Sequence, residues 1–121
     1  MNLMALPFAP GDDLVFQLES GYGLLRVLAV DDSGGEIVWH LLAYEDLFPD
    51  VETAEAALAR PELLSVRAAH LPLTDHALEK TPAARLGNRP VQAGELAAYH
   101  AWLERGGQAF DRSALLLLGL R

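Results

Sequence analysis

Alternation of apolar and polar positions near the amino terminus predicts an antiparallel hairpin. In DLVFQLESGYGLLRVLAV, residues 13–30, the side chains alternate with the period of two that is typical of a strand over about 13–19. Ser20-Gly21 is the expected turn, because glycine adopts the positive φ angles that tight hairpins often require. The second strand is predicted over about 22–30, and its apolar residues occupy both faces, so we expect both faces to be covered.

Gly23 interrupts the second predicted strand at a position where a side chain would normally pack. A glycine inside a strand indicates a bulge, a sharp bend or the close approach of another backbone, and a small barrel needs such bends in order to close. A bare backbone also admits a ligand. Of these alternatives we favour a bend that shapes the sheet.

The following segments extend the hairpin into a meander. DDSGG at 31–35 predicts a second hairpin connection, and EIVWHLLAY at 36–44 predicts a third strand that is apolar on both faces. A fourth strand is expected over about 63–73, and a later turn at Gly87-Asn88. A small meander has to curl or be covered to protect its edges. The predicted fold is therefore α+β, with an antiparallel SH3-like small barrel or a strongly curved sheet of about four or five strands and about two or three short helices.

Helical periodicity and capping residues predict two helices outside the sheet. Asp50 is a typical N-cap for a helix over about 51–59, and Pro61 ends it. The clearest helix is predicted over about 94–105, where apolar residues recur at helical spacing. Gly106 occupies the position of a left-handed C-cap for that helix.

Two shorter segments complete the pattern. Thr74 or Asp75 is expected to cap a single helical turn. The leucine run at 113–118 fits either a helix capped by Asp111 or a buried strand. We favour the helix.

Length and composition indicate one domain. The chain has 121 residues, of which 51% are hydrophobic, and we predict a single domain over 1–121, with a barrel meander at about 11–72 and a helical carboxyl-terminal part at about 74–121. It contains no cysteine, which excludes disulfides and thiolate chemistry. The amino terminus lacks the basic start of a signal peptide, and the leucine run is shorter than the ~20 residues that span a bilayer. We expect a soluble, cytoplasmic protein.

No residue pattern in the sequence nominates a catalytic, metal or cofactor site. The histidines show no pair at metal-binding spacing within one predicted helix. The serines lie outside any nucleophile-elbow motif, and Gly21-Tyr22-Gly23 lacks the lysine and the following helix of a phosphate-binding loop. We therefore predict no enzyme activity, no metal and no cofactor. The histidines concerned are His40, His70, His76 and His100.

Acidic residues are concentrated in the first half of the chain. Residues 1–62 hold twelve acids against two arginines, a net charge of −10, whereas residues 63–121 have a net charge of +2. An anionic surface repels nucleic acid, whose binding depends on cations that displace counterions. Such a surface attracts basic proteins by long-range steering, although acids also serve merely to keep a domain soluble. We expect a protein partner, and neither nucleic acid nor membrane.

Three short motifs carry a resemblance to a known family. PGDDLVFQLESGYGLLRVL, ELLSVRAAHLPL and RLGNRPV resemble, in this order, the immunity protein 26 family of bacterial polymorphic-toxin systems. Leu25 stands where that family has a glycine, and the resemblance covers about 11–92. The residues that fit the family's opening motif are Gly11, Asp12, Phe16, Gly21, Tyr22, Gly23, Arg26, Val27 and Leu28. Those similar to its following strand and its I-G-x-x-P-L segment are Leu64-Ser65-Val66 and Leu86-Gly87-Asn88-Arg89-Pro90.

The resemblance implies a cytosolic protein that binds a cognate toxin, such as a basic nuclease domain, and blocks its active surface. The contact surface would centre on the acids at 45–55, which we call the acidic stretch, with two aromatic residues as anchors among the charges. The alternative hypothesis is a self-associating interaction module, such as a homodimer, because strands that are apolar on both faces leave surface to cover. The expected partner-binding residues are Tyr44, Glu45, Asp46, Phe48, Asp50, Glu52 and Glu55.

Overall fold

The computed structural model describes residues 6–32 and 35–120. Within them the protein is an α+β structure with five strands, four short α-helices and two 3₁₀ turns, at Pro61–Leu63 and Ala93–Leu96. The amino-terminal residues 1–5 and part of the connection expected at 31–35 lie outside the described residues. The strands are β1 Asp12–Leu18, β2 Gly21–Asp31, β3 Val38–Tyr44, β4 Val66–Thr74 and β5 Ala83–Asn88. The α-helices are α1 Val51–Ala57, α2 Asp75–Glu79, α3 Ala97–Glu104 and α4 Ala114–Leu118.

The five strands form one antiparallel sheet in the order β4-β3-β2-β1-β5. The predicted α+β class and antiparallel sheet are confirmed. Within the described ranges no pairing joins β4 to β5, so the sheet is open and the closed barrel is not formed. The turn expected at Gly87-Asn88 is instead the end of β5, which pairs with β1.

Both faces of the sheet are covered by packed side chains. On β2, Leu25 and Val27 lie in the larger cluster, together with Trp39, α2 and α4. Leu24 and Leu28 lie in the second cluster, on the side of α1. The prediction that β2 is covered on both sides is confirmed.

Gly23 lies where the ring of Phe16, on the neighbouring strand, leaves no room for a side chain. The two residues are paired across β1 and β2, and a Cβ atom at Gly23 would lie 2.3 Å from Cζ of the phenyl ring. The register of this pair of strands is regular at Gly23, and the irregularity of β2 lies further on, between Val27 and Ala29 in its pairing with β3. Our preference for a bend at Gly23 was therefore wrong: the glycine makes room for an aromatic ring.

The helices begin where the capping residues predict. Asp50 caps α1 by accepting a 2.7 Å hydrogen bond from the Thr53 amide, although α1 ends at Ala57, two residues before the predicted end. The helix predicted over 94–105 consists of a 3₁₀ turn followed by α3, and Gly106 has the expected positive φ of 64°. Thr74 caps α2 through a bond from the Ala77 amide.

The leucine run is helical, as we favoured, but its cap was wrongly assigned. Ser113 caps α4 by accepting from the Leu116 amide at 3.3 Å. Asp111 instead accepts a 2.6 Å hydrogen bond from the Thr74 hydroxyl. Among the described residues no helix has the length and apolar character needed to cross a bilayer.

Candidate functional site

The predicted acidic stretch forms the connection from β3 to α1 and the first turns of α1. Its backbone is held in place by the start of β4: the Glu45 amide donates to the Ser65 carbonyl at 2.8 Å, and the Ser65 amide donates to the Asp46 carboxylate at 2.7 Å. Asp50 fixes the helix start. The acids therefore occupy a surface whose backbone is already ordered.

Three of these acids have no internal partner. In the described part of the chain, the carboxylates of Glu45, Glu52 and Glu55 make no hydrogen bond or ion pair, and all three residues are exposed. Asp46 and Asp50 are partly committed to backbone amides. Hydrogen bonds from the Thr53 side chain and amide lower the pKa of Asp50, which is fully exposed. The stretch is thus negatively charged at neutral pH.

The expected aromatic anchors are not available as predicted. Tyr44 is only 6% exposed, packs in the second cluster and lies with its hydroxyl 3.5 Å from Nη2 of Arg89, so its assignment as an anchor was wrong. Phe48 is half-buried against the same cluster, and its backbone exchanges two 2.8 Å hydrogen bonds with Tyr22. Neither ring protrudes from the surface.

Aliphatic side chains protrude instead. Leu47 is 47% exposed, Leu63 is 68% exposed and Val66 is 50% exposed. They lie in or next to the segments that carry the acids, since Ser65 bonds to both Glu45 and Asp46. Apolar residues that lie among the acids in the sequence were the signal from which these exposed aliphatic side chains could have been predicted. We name this surface the acidic face, consisting of Glu45, Leu47, Asp50, Glu52, Glu55, Leu63 and Val66.

A groove of about 520 Å³ adjoins the acidic face. One wall comes from the 3₁₀ turn at Pro61–Leu63 and the start of β4, including Leu64 and Val66; the other comes from the segment after β5, including Pro90 and Gln92. The groove is open to solvent and mixes apolar and polar side chains. It offers a recess beside the charges.

A buried ion network underlies the groove. The Arg26 side chain is 1% exposed, and its Nε donates to Glu95 at 2.6 Å. Its Nη1 bonds to the Gly11 carbonyl at 3.0 Å, and its Nη2 bonds to the carbonyls of Arg89 and Pro90 at 3.0 and 3.3 Å. All three nitrogens of Arg26 are therefore occupied. This arginine holds the segment after β5 against the sheet and is not free to bind a ligand.

Asp13 joins the second arginine to this network. Its carboxylate accepts from Nε and Nη2 of Arg89, both at 2.7 Å, and lies 3.4 Å from Nη1 of Arg26. The hydrogen bond from Arg26 lowers the pKa of Glu95 despite partial burial. For Asp12, burial alone would raise the pKa, but hydrogen bonds, of which that from Asn88 is the strongest, lower it overall. The charges balance within the network.

The residues that carry the family resemblance meet in this network. Gly11 has a φ of 92°, and a Cβ atom there would lie 2.5 Å from the Arg89 carbonyl oxygen. Arg26, Asn88 and Pro90, from the first and third of the three quoted motifs, make the contacts that join β1 and β2 to the end of β5. In this chain these motif positions have a structural role.

The fold also brings together two histidines that sequence spacing kept apart. Nδ1 of His40 lies 2.8 Å from Nε2 of His70, 30 residues further along the chain. The described residues contain no cluster of three or more side chains arranged to hold a metal ion. His76 and His100 are exposed and lie elsewhere on α2 and α3.

Comparison with known proteins finds no matching family model, no matching curated protein and no matching solved structure.

Proposed function

We propose that this chain is a non-catalytic protein-binding domain and, in its most specific form, a cytoplasmic immunity protein that neutralises a basic toxin by covering its active surface. The acidic face is the observation that carries the proposal. It combines three unpaired, exposed carboxylates with exposed aliphatic side chains on an ordered backbone. The motif resemblance supports the more specific form.

The charge of the acidic face suits a cationic partner. A carboxylate without an internal cation keeps its full field at the surface, and such fields raise association rates by steering the partner during its approach. Glu45, Glu52 and Glu55 meet this condition, whereas the buried Asp13 is neutralised by Arg89. The partner is therefore expected to present clustered lysines or arginines.

The aliphatic side chains and the groove supply the short-range part of the interaction. Interface centres are apolar patches inside a polar rim, and a few buried contacts there carry most of the binding energy. Leu63 and Val66 lie beside the groove, which has room for a protruding side chain of the partner. A standard interface buries about 800 Å² on each partner, which is roughly one-eighth of the 6861 Å² accessible surface of this chain.

An ordered backbone favours tight binding, because little conformational entropy is lost when the complex forms. Asp46 and Asp50 fix the acidic stretch through bonds to the amides of Ser65 and Thr53. The acidic face therefore does not have to fold on contact.

The test begins with the gene beside that of this chain, which on this proposal encodes a toxin. The toxin domain is expressed in bacteria with and without this chain, and growth is recorded; a catalytically inactive toxin domain is then mixed with this chain and analysed by size exclusion with light scattering. We expect rescued growth and a one-to-one complex. A neighbouring toxin that neither binds nor is neutralised contradicts the proposal, and an unrelated toxin domain is the control for specificity.

A second candidate function, self-association, rests on the open edges of the sheet. In the described residues β5 pairs only with β1, the outer edge of β4 is bridged only at its end by Phe110, and Leu116 on α4 is 71% exposed. Open edges and exposed apolar side chains favour pairing with a second copy. Light scattering of the isolated chain distinguishes a homodimer from the monomer.

A further inference from the structure

The histidine pair lies between the sheet and α3. His40, on β3, is 0% exposed, and its ring lies nearly parallel to that of His70, on β4, with centroids 5.1 Å apart and an interplanar angle of 13°. The register explains the contact, since His40 pairs with Pro72 and His70 lies two residues away on the same face. In the described residues neither histidine makes a hydrogen bond or ion pair with the acidic face or with the buried arginine network.

Helix α3 covers this pair with two aromatic side chains. The Tyr99 ring lies 4.2 Å from that of His40, and the Trp102 ring lies 4.9 Å from it in an edge-to-face arrangement. Trp102 also contacts His70, at 5.5 Å, and packs over Gly107, where a Cβ atom would lie 2.3 Å from its Nε1. The two histidines are therefore a large part of the surface on which α3 docks.

The short distance between the two rings limits the number of protons that the histidine pair can carry. The 2.8 Å gap between Nδ1 of His40 and Nε2 of His70 holds one hydrogen, donated by one ring to the other. Nε2 of His40 is buried and has no hydrogen-bond partner in the described part of the chain. Protonation of one ring would bury an unpaired charge beneath Tyr99 and Trp102, and protonation of both rings would in addition place two N–H groups face to face; both arrangements are unfavourable.

Protonation of the pair therefore becomes favourable only when the histidines reach water. We infer that His40 and His70 form a proton-operated latch, which holds α3 on the sheet while both rings are neutral and share one N–H···N hydrogen bond, and releases α3 when either ring becomes protonated. The rest of the sheet does not depend on the pair, because the large cluster on the opposite face contains neither histidine. Release of α3 therefore precedes unfolding of the sheet.

Burial and neighbouring charges shift the pKa values of the two histidines, and these effects partly oppose one another. Burial lowers the pKa of His40 to about 4, with His70 adding to the effect and Asp31, at the end of β2, opposing it. Burial also lowers the pKa of His70, and the Arg105 guanidinium, which follows α3, lowers it further. Tyr99 stays neutral in this range because burial raises its pKa. Folded-state pKa values below the unfolded value mean that docking is fully stable above about pH 6.5 and weakens as the pH falls.

Amide hydrogen exchange of the full chain, expressed as protection factors at pH 7 and pH 5, tests the latch. We expect protection of the α3 amides to fall at least about tenfold, and protection of β2 to stay well above that of α3 at both pH values, because β2 exchanges only through global unfolding. His40→Phe keeps a ring between Tyr99 and Trp102 but cannot be protonated, so its α3 protection should fall less between the two pH values than that of the unmodified chain, and only by what His70 contributes. His100→Gln is the matched control, since this exposed histidine lies on α3 itself and its replacement should leave the fall unchanged.

Two results would overturn the latch. One is equal protection of α3 and β2 at pH 5, which means that both exchange only through global unfolding. The other is a fall in His40→Phe as large as in the unmodified chain. If His40→Phe does not fold, His70→Gln decides the matter: it removes one titrating ring of the pair at a half-buried site, and a fall no smaller than that of the unmodified chain would contradict the proposal.

Discussion

Replacing Arg26 by methionine removes the centre of the buried ion network. Methionine keeps much of the length and apolar volume of arginine but none of its donors. The Gly11 carbonyl then loses a fully buried hydrogen bond, and the carbonyls of Arg89 and Pro90 lose partly buried ones. The segment after β5 is no longer tied to β2, which also loosens one wall of the groove.

The expected loss of unfolding free energy follows from what is left unpaired. Asp13 retains Arg89 as a partner, and Glu95 is 25% exposed and can be hydrated, so neither carboxylate is wholly isolated. Removing one member of a buried ion pair typically costs about 3–5 kcal/mol, and the Gly11 carbonyl keeps a 2.9 Å hydrogen bond from the Arg89 amide. We expect Arg26→Met to lose about 3–5 kcal/mol.

Urea denaturation followed by circular dichroism measures this loss, with Arg85→Met as the matched control. Arg85 is 53% exposed, and its partner Asp12 keeps hydrogen bonds from Asn88 and the Ala9 amide. The control should therefore lose about 1 kcal/mol or less. A loss for Arg26→Met that is no larger than that for Arg85→Met would refute the structural role of the network.

Three further substitutions or titrations give measurable outcomes. Gly23→Ala forces a Cβ atom against the Phe16 ring and should cost about 1–3 kcal/mol in thermal denaturation, whereas Gly94→Ala, which meets open space, should change stability by less than about 0.5 kcal/mol. Asp50→Ala removes the cap of α1 and should cost about 1 kcal/mol in urea denaturation; no change would mean that the cap is dispensable. Because the pKa of His40 falls from 6.5 to about 4 on folding, stability should drop by about 2 kcal/mol between pH 7 and pH 5, and a stability that is flat over this range would contradict that shift.

Local signals determined how much of the fold could be predicted from the sequence. The first three strands have turn glycines and a clear period of two, and α1 has both a cap and a proline stop, so these elements were predicted to within a few residues. Strand β5 was missed because its segment, AARLGN, has little alternation and becomes a strand by pairing with β1, some 70 residues earlier.

The site was less predictable, because burial depends on tertiary packing. Tyr44 was expected at the surface as an interface aromatic, but β3 is covered on both faces, which leaves no exposed position for it. The contact between His40 and His70 depends on the β3–β4 register, which cannot be read from the spacing of histidines along the chain. The exposure of Glu52 was predictable because it lies in the first turn of α1, where an acid is favourable, and not at the position of the buried Ala54.

The association rate constant for the neighbouring toxin domain, measured by stopped flow at several salt concentrations, tests the central claim that the acidic face binds a basic partner. Three Glu→Lys changes raise the net charge from −8 to −2, so a variant at Glu45, Glu52 and Glu55 is matched in net charge by one at the exposed Glu36, Glu79 and Glu104. We expect the first variant to associate at least about tenfold more slowly, with a flatter salt dependence, than the second. Equal rates for the two variants would contradict the account.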